Sequence, residues 1–363
     1  MPKIAADELR EFVIAVFQAA GVSAKEARVV GEHLVAANLA GVDSHGVMRV
    51  PQYVAALQAG KLKLGVRPRI LSETKTTAVI DGCQGFGQVV CKEAMALAVR
   101  KALDQGLAAV TVRNSYHSGC IASYTKQAAA EGLIGLVMVN AGGGGQSVAP
   151  FGGLARRLAT NPLSIAAPAG NGFPIVLDIA TSVAPEGKVR ECYQNGKPVP
   201  AGWIADARGR PSTDPKDFYE GNGILLPLGG LAGYKGFGLA FMIDILAGAL
   251  SGAGCCHAKV TDPRDGLLMI ALHIERFIPL AAYYQHVTWL VQHMKSCPPA
   301  AGFREVFIPG EIEFREEKKR QVEGIDLDPA TWRLIKEAAL AAGAVTDWVE
   351  SVDRKKPALA KAV

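Results

Sequence analysis

The chain has 363 residues, too many for one ordinary compact core, so two domains are expected. Hydrophobic residues make up 49% and charged residues 20%, a balance that excludes an intrinsically disordered chain. The net charge of +5, from 39 basic and 34 acidic residues, is too mild and too interspersed for a nucleic-acid footprint.

Residues 5–60 read as helices. Leu9, Phe12, Val13, Val16 and Phe17 follow the spacing of an amphipathic helix that Gly21 ends. Ser23 with Glu26 forms a capping box for the next helix, which carries Val29, Val30, Leu34 and Ala37 and stops near Gly41. A third helix is expected from Ser44, as its N-cap, to Gly60, with Val47, Val50, Val54 and Leu57 inward and Pro51 disturbing its first turn. From about residue 75 the texture changes to an alternation of strands and helices. TTAVIDG, LAAVTVRNS and LIGLVMVNAG read as strands, separated by the helices CKEAMALAVRKALDQG and IASYTKQAAAEG, which argues for α/β layering. LSIAAPAG and FPIVLDIATS read as a hairpin turning at 170–172, so the sheet is expected to be mixed. A glycine-rich helix at 235–252, the strand GLLMIALHI and a helix opening at Asp328 with proline next complete the chain.

The 40 glycines gather in AGGGGQ, LPLGGLAGYKGFG and SGAG, where they signal tight turns or backbone approaching a ligand. The seven cysteines contain no Cys-x-x-Cys pair, and the single cluster, Cys255-Cys256-His257, is a poor start for a metal site. Reduced structural thiols and no metal are expected. The N-terminus carries charges where a signal peptide needs an apolar core. The apolar stretch GLAFMIDILAGAL is broken by Asp244 and falls short of the roughly 20 residues of a bilayer span. A cytoplasmic protein without a membrane partner is expected.

Two glycine motifs carry less than they promise. DGCQGFGQVV follows a strand and supplies Gly85 and Gly87, but Val90 stands at the sixth position and no acidic residue is clearly placed about 20 positions on, which argues against a Rossmann fingerprint. AGGGGQS lacks the Gly-Lys-Ser/Thr ending of a phosphate loop. NSYHSG is more informative, because Tyr116 and His117 follow a strand and precede a helix, where ligands bind in open α/β sheets. A lone histidine there is ordinarily one satisfied within its loop. A second histidine, His45, sits in GVDSHGVMRVPQYV beside Ser44 and Arg49. On a helix, spacings of four put His45, Arg49 and Tyr53 on one face. Arg49 can clamp a carboxylate in a bidentate fork, and His45 can carry the proton that moves when a carbonyl becomes an alcohol. The set suits a 2-oxo or 2-hydroxy acid.

Taken with VRNSYHSG, APFGGLARRLATNPLSIAAP, VLDIATSVAPEGKV, GWIADARGRPSTDP, LPLGGLAGYKGFGLAFMIDILAGALSGA, SCPPAAGF and FIPGE, in this order over residues 5–340, the chain resembles the malate/L-lactate dehydrogenase family, also called sulfolactate dehydrogenase-like. These are NAD(P)-dependent oxidoreductases of non-Rossmann type. The resemblance implies an α/β fold: a three-layer, mixed-sheet nucleotide-binding domain plus a mainly helical domain from both chain ends. The expected division is 1–72 helical, 73–299 mixed-sheet, and 300–363 helical and packed on the first part. It also implies a homodimer, NAD or NADP as cofactor, and a small carboxylate substrate. By the same resemblance His45 is the proton donor and acceptor, Ser44 its neighbour and Arg49 the substrate-carboxylate ligand. His117, Ser118, Gly119, Cys120 and Ile121 form a loop lining cofactor and substrate, and Thr160 lies on the substrate side. Asp178, Ile179, Ala180, Tyr234, Lys235, Gly310 and Glu311 correspond to cofactor contacts. Lys188 stands where members that reduce cyclic imines tend to carry aspartate, and a lysine cannot orient an imidazolium as a carboxylate does. His273 and His286 are read as structural or surface residues.

The expected activity is reversible hydride transfer between NAD(P)H and C2 of a small 2-oxo acid. The alternatives are an NADPH-dependent reductase of cyclic imino acids (piperideine or pyrroline 2-carboxylate) and a nucleotide-binding protein without catalysis.

Overall fold

The computed structural model describes residues 3–141, 144–170, 172–259 and 264–344. Positions 142 and 143 of the glycine run, position 171 of the expected hairpin turn and 345–363 of the C-terminal part lie outside the described residues. The chain opens with a short strand β1 (Lys3–Ile4) and the helices α1 (Ala6–Ala19) and α2 (Ala24–Leu39). Two 3-10 turns, Asp43–His45 and Val47–Arg49, lead into α3 (Val50–Gln58). Then follow β2 (Arg69–Glu73), β3 (Thr77–Asp81), α4 (Gly87–Gln105), β4 (Leu107–Ser115), α5 (Ala122–Ala130), β5 (Leu133–Asn140), β6 (Leu163–Ala167) and β7 (Ile175–Ile179). A smaller layer comprises α6 (Glu186–Gln194), β8 (Ile204–Ala205), β9 (Pro211–Ser212), α7 (Pro215–Tyr219) and β10 (Ile224–Leu225). α8 (Tyr234–Ile243) runs on as a π-helical stretch, Asp244–Ala249. β11 (Asp265–His273), α9 (Leu280–Lys295), α10 (Glu311–Glu323), β12 (Ile325–Asp326) and α11 (Pro329–Ala341) complete it.

Seven strands form one sheet in the order β2-β3-β4-β11-β5-β6-β7. Only β3 and β4 pair in parallel, through the crossover helix α4, and every other neighbour is antiparallel. The expected hairpin is β6–β7, and the sheet is mixed and not doubly wound. Period-two alternation splits its side chains between two layers. Val137 and Val139 of β5 face one side, in a core with Val90, Ala94 and Met95 of α4 and Ala128 of α5. Met138 faces the other side and packs with Ile243 and Ala247 of the α8 extension. The result is three layers.

The helical domain is built from both chain ends. Leu9, Phe12, Val13 and Phe17 of α1 share a core with Val30 and Leu34 of α2, Tyr53 and Val54 of α3, and Trp332 and Ile335 of α11. Full burial of each such large side chain contributes about 1.5–3 kcal/mol. Ile4 pairs with Ile325 across β1 and β12, which ties the first described residues to the last helices. Ser23 caps α2 as expected, accepting from Glu26 N at 3.3 Å, and Asp328 caps α11.

The third helix departs from its predicted bounds. It starts at Val50 and not at Ser44, and Pro51 sits in its first turn, where a missing N–H costs nothing. The reason lies upstream. Asn38, buried on α2, donates from Nδ2 to Asp43 Oδ1 (2.5 Å) and accepts from Val47 N at Oδ1 (2.8 Å). Gly46 between them is extended (φ −88°, ψ −152°), and a Cβ there would lie 2.1 Å from Asn38 Oδ1. The chain therefore makes a tight double turn, and His45, Arg49 and Tyr53 do not share one continuous helix face. Among the described residues no helix is long and apolar enough to cross a membrane.

Asn38→Ala removes both anchors of the double turn and leaves the Val47 N–H without its acceptor. Urea unfolding is expected to show a loss of about 1–3 kcal/mol. An unchanged midpoint would mean that the turn is held by packing alone.

Candidate active site

The double turn at 43–49 meets the loop that leaves the carboxyl end of β4. That loop, Tyr116–Ile121, is fastened along its backbone. Ser118 donates from N and Oγ to the Asp265 carboxylate, both at 2.8 Å, and its carbonyl accepts from Tyr124 OH. Cys120 N donates to His33 Nε2 at 2.9 Å, and Ala122 N at the start of α5 donates to Asp178 Oδ2 at 3.1 Å. Gly119 has φ +76°, and a Cβ there would lie 2.4 Å from His33 Nε2. Only glycine fits.

Fastening the loop brings His117 beside the turn. Its ring lies nearly parallel to that of His45, with centroids 5.6 Å apart and 18° between planes. Tyr53 OH is 2.7 Å from His117 Nδ1, and Ser44 Oγ is 3.0 Å from His45 Nδ1. Arg49 donates from Nε to the Ser44 carbonyl (2.7 Å) and from Nη1 to Gln52 Oε1 (2.8 Å). Helix α6 opens against this pair, since a Cβ on Gly187 would lie 3.2 Å from Ser44 Cβ and 3.9 Å from Arg49 Nη2. Ser44, His45, Arg49 and His117 are each partly exposed. Among the described residues, Arg49 has no carboxylate within ion-pair distance. Arg49 Nη2 and the Nε2 atoms of His45 and His117 likewise have no hydrogen-bond partner among them.

Electrostatics follow from this crowding. Burial, then the Arg49 charge, lowers His45 to about 3. Burial, Arg49 and His45 together push His117 well below the usual histidine value. Burial with Lys92 lowers His33 to about 4. All three rings are neutral near pH 7. Burial raises Asp265 to about 6 against its two Ser118 hydrogen bonds. It also raises Asp178 to about 6, although that residue keeps an exposed edge at the surface.

The remaining expected residues fall into separate groups. Asp178, at the end of β7, reaches the 118–122 loop, and Ile179 and Ala180 follow it. The Thr160 carbonyl accepts from both N and Oγ1 of Thr181, at 2.9 Å each. Its neighbour Asn161 is held through Nδ2 by the Ala240 carbonyl (3.0 Å) and Asp244 (3.3 Å). Asp244, the charge that interrupts the apolar helix, also accepts from Cys256 N at 2.8 Å. Burial pushes the Cys256 thiol up to about 12, and no metal-binding cluster of three such side chains occurs among the described residues. Tyr234 and Lys235 stand exposed at the start of α8, and among the described residues no hydrogen bond or ring contact joins them to the histidine pair. Glu311 is not open to a ligand as a free carboxylate. It accepts from Lys295 (2.7 Å), Arg315 (2.6 Å) and Ile308 N (3.0 Å), and so holds the FIPGE turn together. Gly310 lies against β7 at Val176, beside a crevice of about 420 Å³ walled by Phe173, Pro174 and Phe314. The histidine pair lies outside that crevice.

The malate/L-lactate dehydrogenase family model matches residues 4–336. The chain belongs to the malate/L-lactate dehydrogenase family. It is 38% identical to a malate dehydrogenase of Pyrococcus abyssi over 333 residues, 90% of this chain and 91% of that one. It is 36% identical to an L-sulfolactate dehydrogenase of Methanocaldococcus jannaschii, covering 94% and 98%. The malate dehydrogenase structure from Pyrococcus horikoshii superposes with a TM-score of 0.86 at 35% identity, over 94% of this chain and 96% of that one. A Δ1-piperideine-2-carboxylate reductase from Pseudomonas syringae is more distant, at TM-score 0.81 and 27% identity over 93% and 100%.

This family member is an oxidoreductase acting on hydroxy acids, and the family implies a nicotinamide cofactor. The donor set fits such a group. Lys235 is exposed without a carboxylate partner among the described residues, and a fastened loop with a carboxylate at its end lies beside the histidine pair. The sequence reading left out three residues of the site: His33, Gln88 and Asp265. His33 falls between Val30 and Leu34 on the inward face of α2, so helical periodicity alone marks it as buried.

The depressed histidines set a pH dependence of stability. Below the unfolded-state value of 6.5 the unfolded chain gains protons that the folded site refuses, so stability is lost as pH falls through that window. Asp178 and Asp265 act oppositely, because their folded forms hold protons that the unfolded chain releases above about 4. In His45→Gln, the stability-versus-pH slope between about pH 4 and 6 should be shallower by up to one proton, about 1.4 kcal/mol per pH unit. An equal slope in urea titrations of both proteins would show that His45 titrates normally.

Proposed function

We propose that this protein is a 2-hydroxyacid dehydrogenase, using NAD or NADP in the cytoplasm, whose site is Ser44, His45, Arg49 and His117. One observation carries the reading: a partly buried guanidinium with no carboxylate partner among the described residues, beside two neutral imidazoles with open Nε2 atoms. A cation withdrawn from water is costly without a counter-ion, and a substrate carboxylate supplies one.

In the oxidative direction the substrate carboxylate lies on the Arg49 fork and the C2 hydroxyl faces the imidazoles. Neutral His45 takes the hydroxyl proton on Nε2 as the C2 hydride leaves and the C–O bond becomes a carbonyl. A bound oxidised nicotinamide supplies the hydride acceptor. The residues proposed to hold that cofactor are the 117–121 loop, Asp178, Lys235 and the backbone at Gly310. Carboxylate on Arg49 cancels the charge that depresses His45, so the imidazolium forms more readily in the complex than in the free site. Ser44 at Nδ1 orients the ring. In reduction the same proton returns to the alkoxide oxygen.

A homodimer is part of the proposal. Helix α9 has 16 residues and buries none of them, while Trp289, Leu290 and Met294, with Phe277 and Phe303, expose apolar surface of the kind that subunits cover.

His45→Ala should lower kcat by about two to four powers of ten with the fold intact by circular dichroism. Arg49→Lys should raise KM for the carboxylate substrate more than it lowers kcat, because a point charge cannot copy the fork. A panel of 2-oxo acids and cyclic imino acids with NADH and NADPH tests the reading directly. Turnover confined to the imino acids would replace it with the reductase, and cofactor binding without any turnover would remove catalysis altogether.

A further inference from the structure

We propose that Tyr53 and Gln88 are positioning residues that fix the His117 imidazole with its hydrogen on Nε2, making it a hydrogen-bond donor to the reacting oxygen. The donor role rests on the dehydrogenase reading; the position of the hydrogen does not.

Gln88, in the first turn of α4, is 1% exposed and donates from Nε2 to Tyr53 OH at 2.8 Å. A phenol has one hydrogen. With its oxygen already accepting from Gln88, Tyr53 directs that hydrogen to His117 Nδ1, 2.7 Å away. A neutral imidazole accepting at Nδ1 carries its hydrogen on Nε2, the atom without a partner among the described residues. The phenol cannot swing away, because its ring is fully buried between Phe17, Phe86 and Tyr116, with centroids 6.3, 6.2 and 5.8 Å distant. Burial also keeps the phenol protonated. Gln88 Oε1 is buried without a hydrogen-bond partner among the described residues.

The arrangement divides labour between two stacked rings. His45 moves the proton, while His117 donates a hydrogen bond to the oxygen as it takes on alkoxide character, as an oxyanion donor does. With the hydrogen on Nδ1, His117 would present a lone pair to that oxygen and repel it.

Nitrogen-15 NMR of the full-length protein with labelled histidine reads the tautomer without any substrate, and His117→Asn identifies the resonance. The wild type should show His117 protonated on Nε2, Gln88→Leu a weakened preference, and Tyr53→Phe a mixture. Gln88→Glu should invert the tautomer, because an ionised carboxylate accepts the phenol hydrogen and Tyr53 must then accept from Nδ1–H. Tyr53→Phe keeps the ring packing, so it decides the matter if the glutamate variant does not fold. Its kcat should fall on the order of a hundredfold with cofactor KM unchanged. A wild-type His117 protonated on Nδ1, or a tautomer unmoved by both Tyr53→Phe and Gln88→Glu, overturns the proposal. The expected tautomers without turnover on any 2-oxo acid would overturn the dehydrogenase reading and leave the positioning role standing.

Discussion

An arginine drawn partly out of water with no carboxylate to meet it among the described residues is the constraint on which the site depends. Arg49 spends two of its donors on holding the double turn, through the Ser44 carbonyl and Gln52, and keeps the third nitrogen open. Its charge, after burial, is the largest influence on both His45 and His117. One unneutralised cation therefore does two things. It attracts a carboxylate, and it adds to burial in keeping both imidazoles neutral. His45 is thereby poised as a base, and a carboxylate on Arg49 eases formation of its imidazolium as the hydroxyl proton is taken.

Holding that arrangement requires the helical domain and the sheet domain to meet in register. The turn belongs to the first and the His117 loop to the second. His33 of α2 crosses between them to the Cys120 N–H, and Tyr53 of α3 crosses to His117. Within the helical domain, Arg320 of α10 holds the base of the turn, reaching the Asn38 carbonyl (2.6 Å) and Asp43 (2.7 Å). A helical domain assembled from both chain ends can thus brace the turn from behind while its front faces the strand ends.

Much of this was legible in the residues. Hydrophobic periodicity gives β4 at its observed bounds, α4 and α5 closely, and the hairpin that makes the sheet mixed. His45 and Arg49 stand out because a charged fork and a proton carrier at close spacing suit one chemistry. What local pattern could not give was contact between distant segments. Ser44 reads as a helix cap, yet Asn38 captures the backbone that such a cap would need, and two 3-10 turns result. Tyr53 reads only as a third residue on the face of His45 and Arg49, and its hydroxyl gains a purpose only when His117, 64 residues away, is brought to it. Gln88 hides in a glycine motif that fails as a dinucleotide fingerprint. Glu311 corresponds to a cofactor contact only by resemblance, and its pairing with Lys295 and Arg315 is a further long-range contact that the sequence does not show.

The most direct measurement is a crystal structure of the protein with nicotinamide cofactor and oxamate, a 2-oxo acid isostere that cannot accept a hydride. The account predicts the oxamate carboxylate paired with Arg49 and its carbonyl oxygen within hydrogen-bond distance of Nε2 of His45 or His117. Oxamate bound with its carboxylate on another cation, leaving Arg49 unpaired, would contradict it.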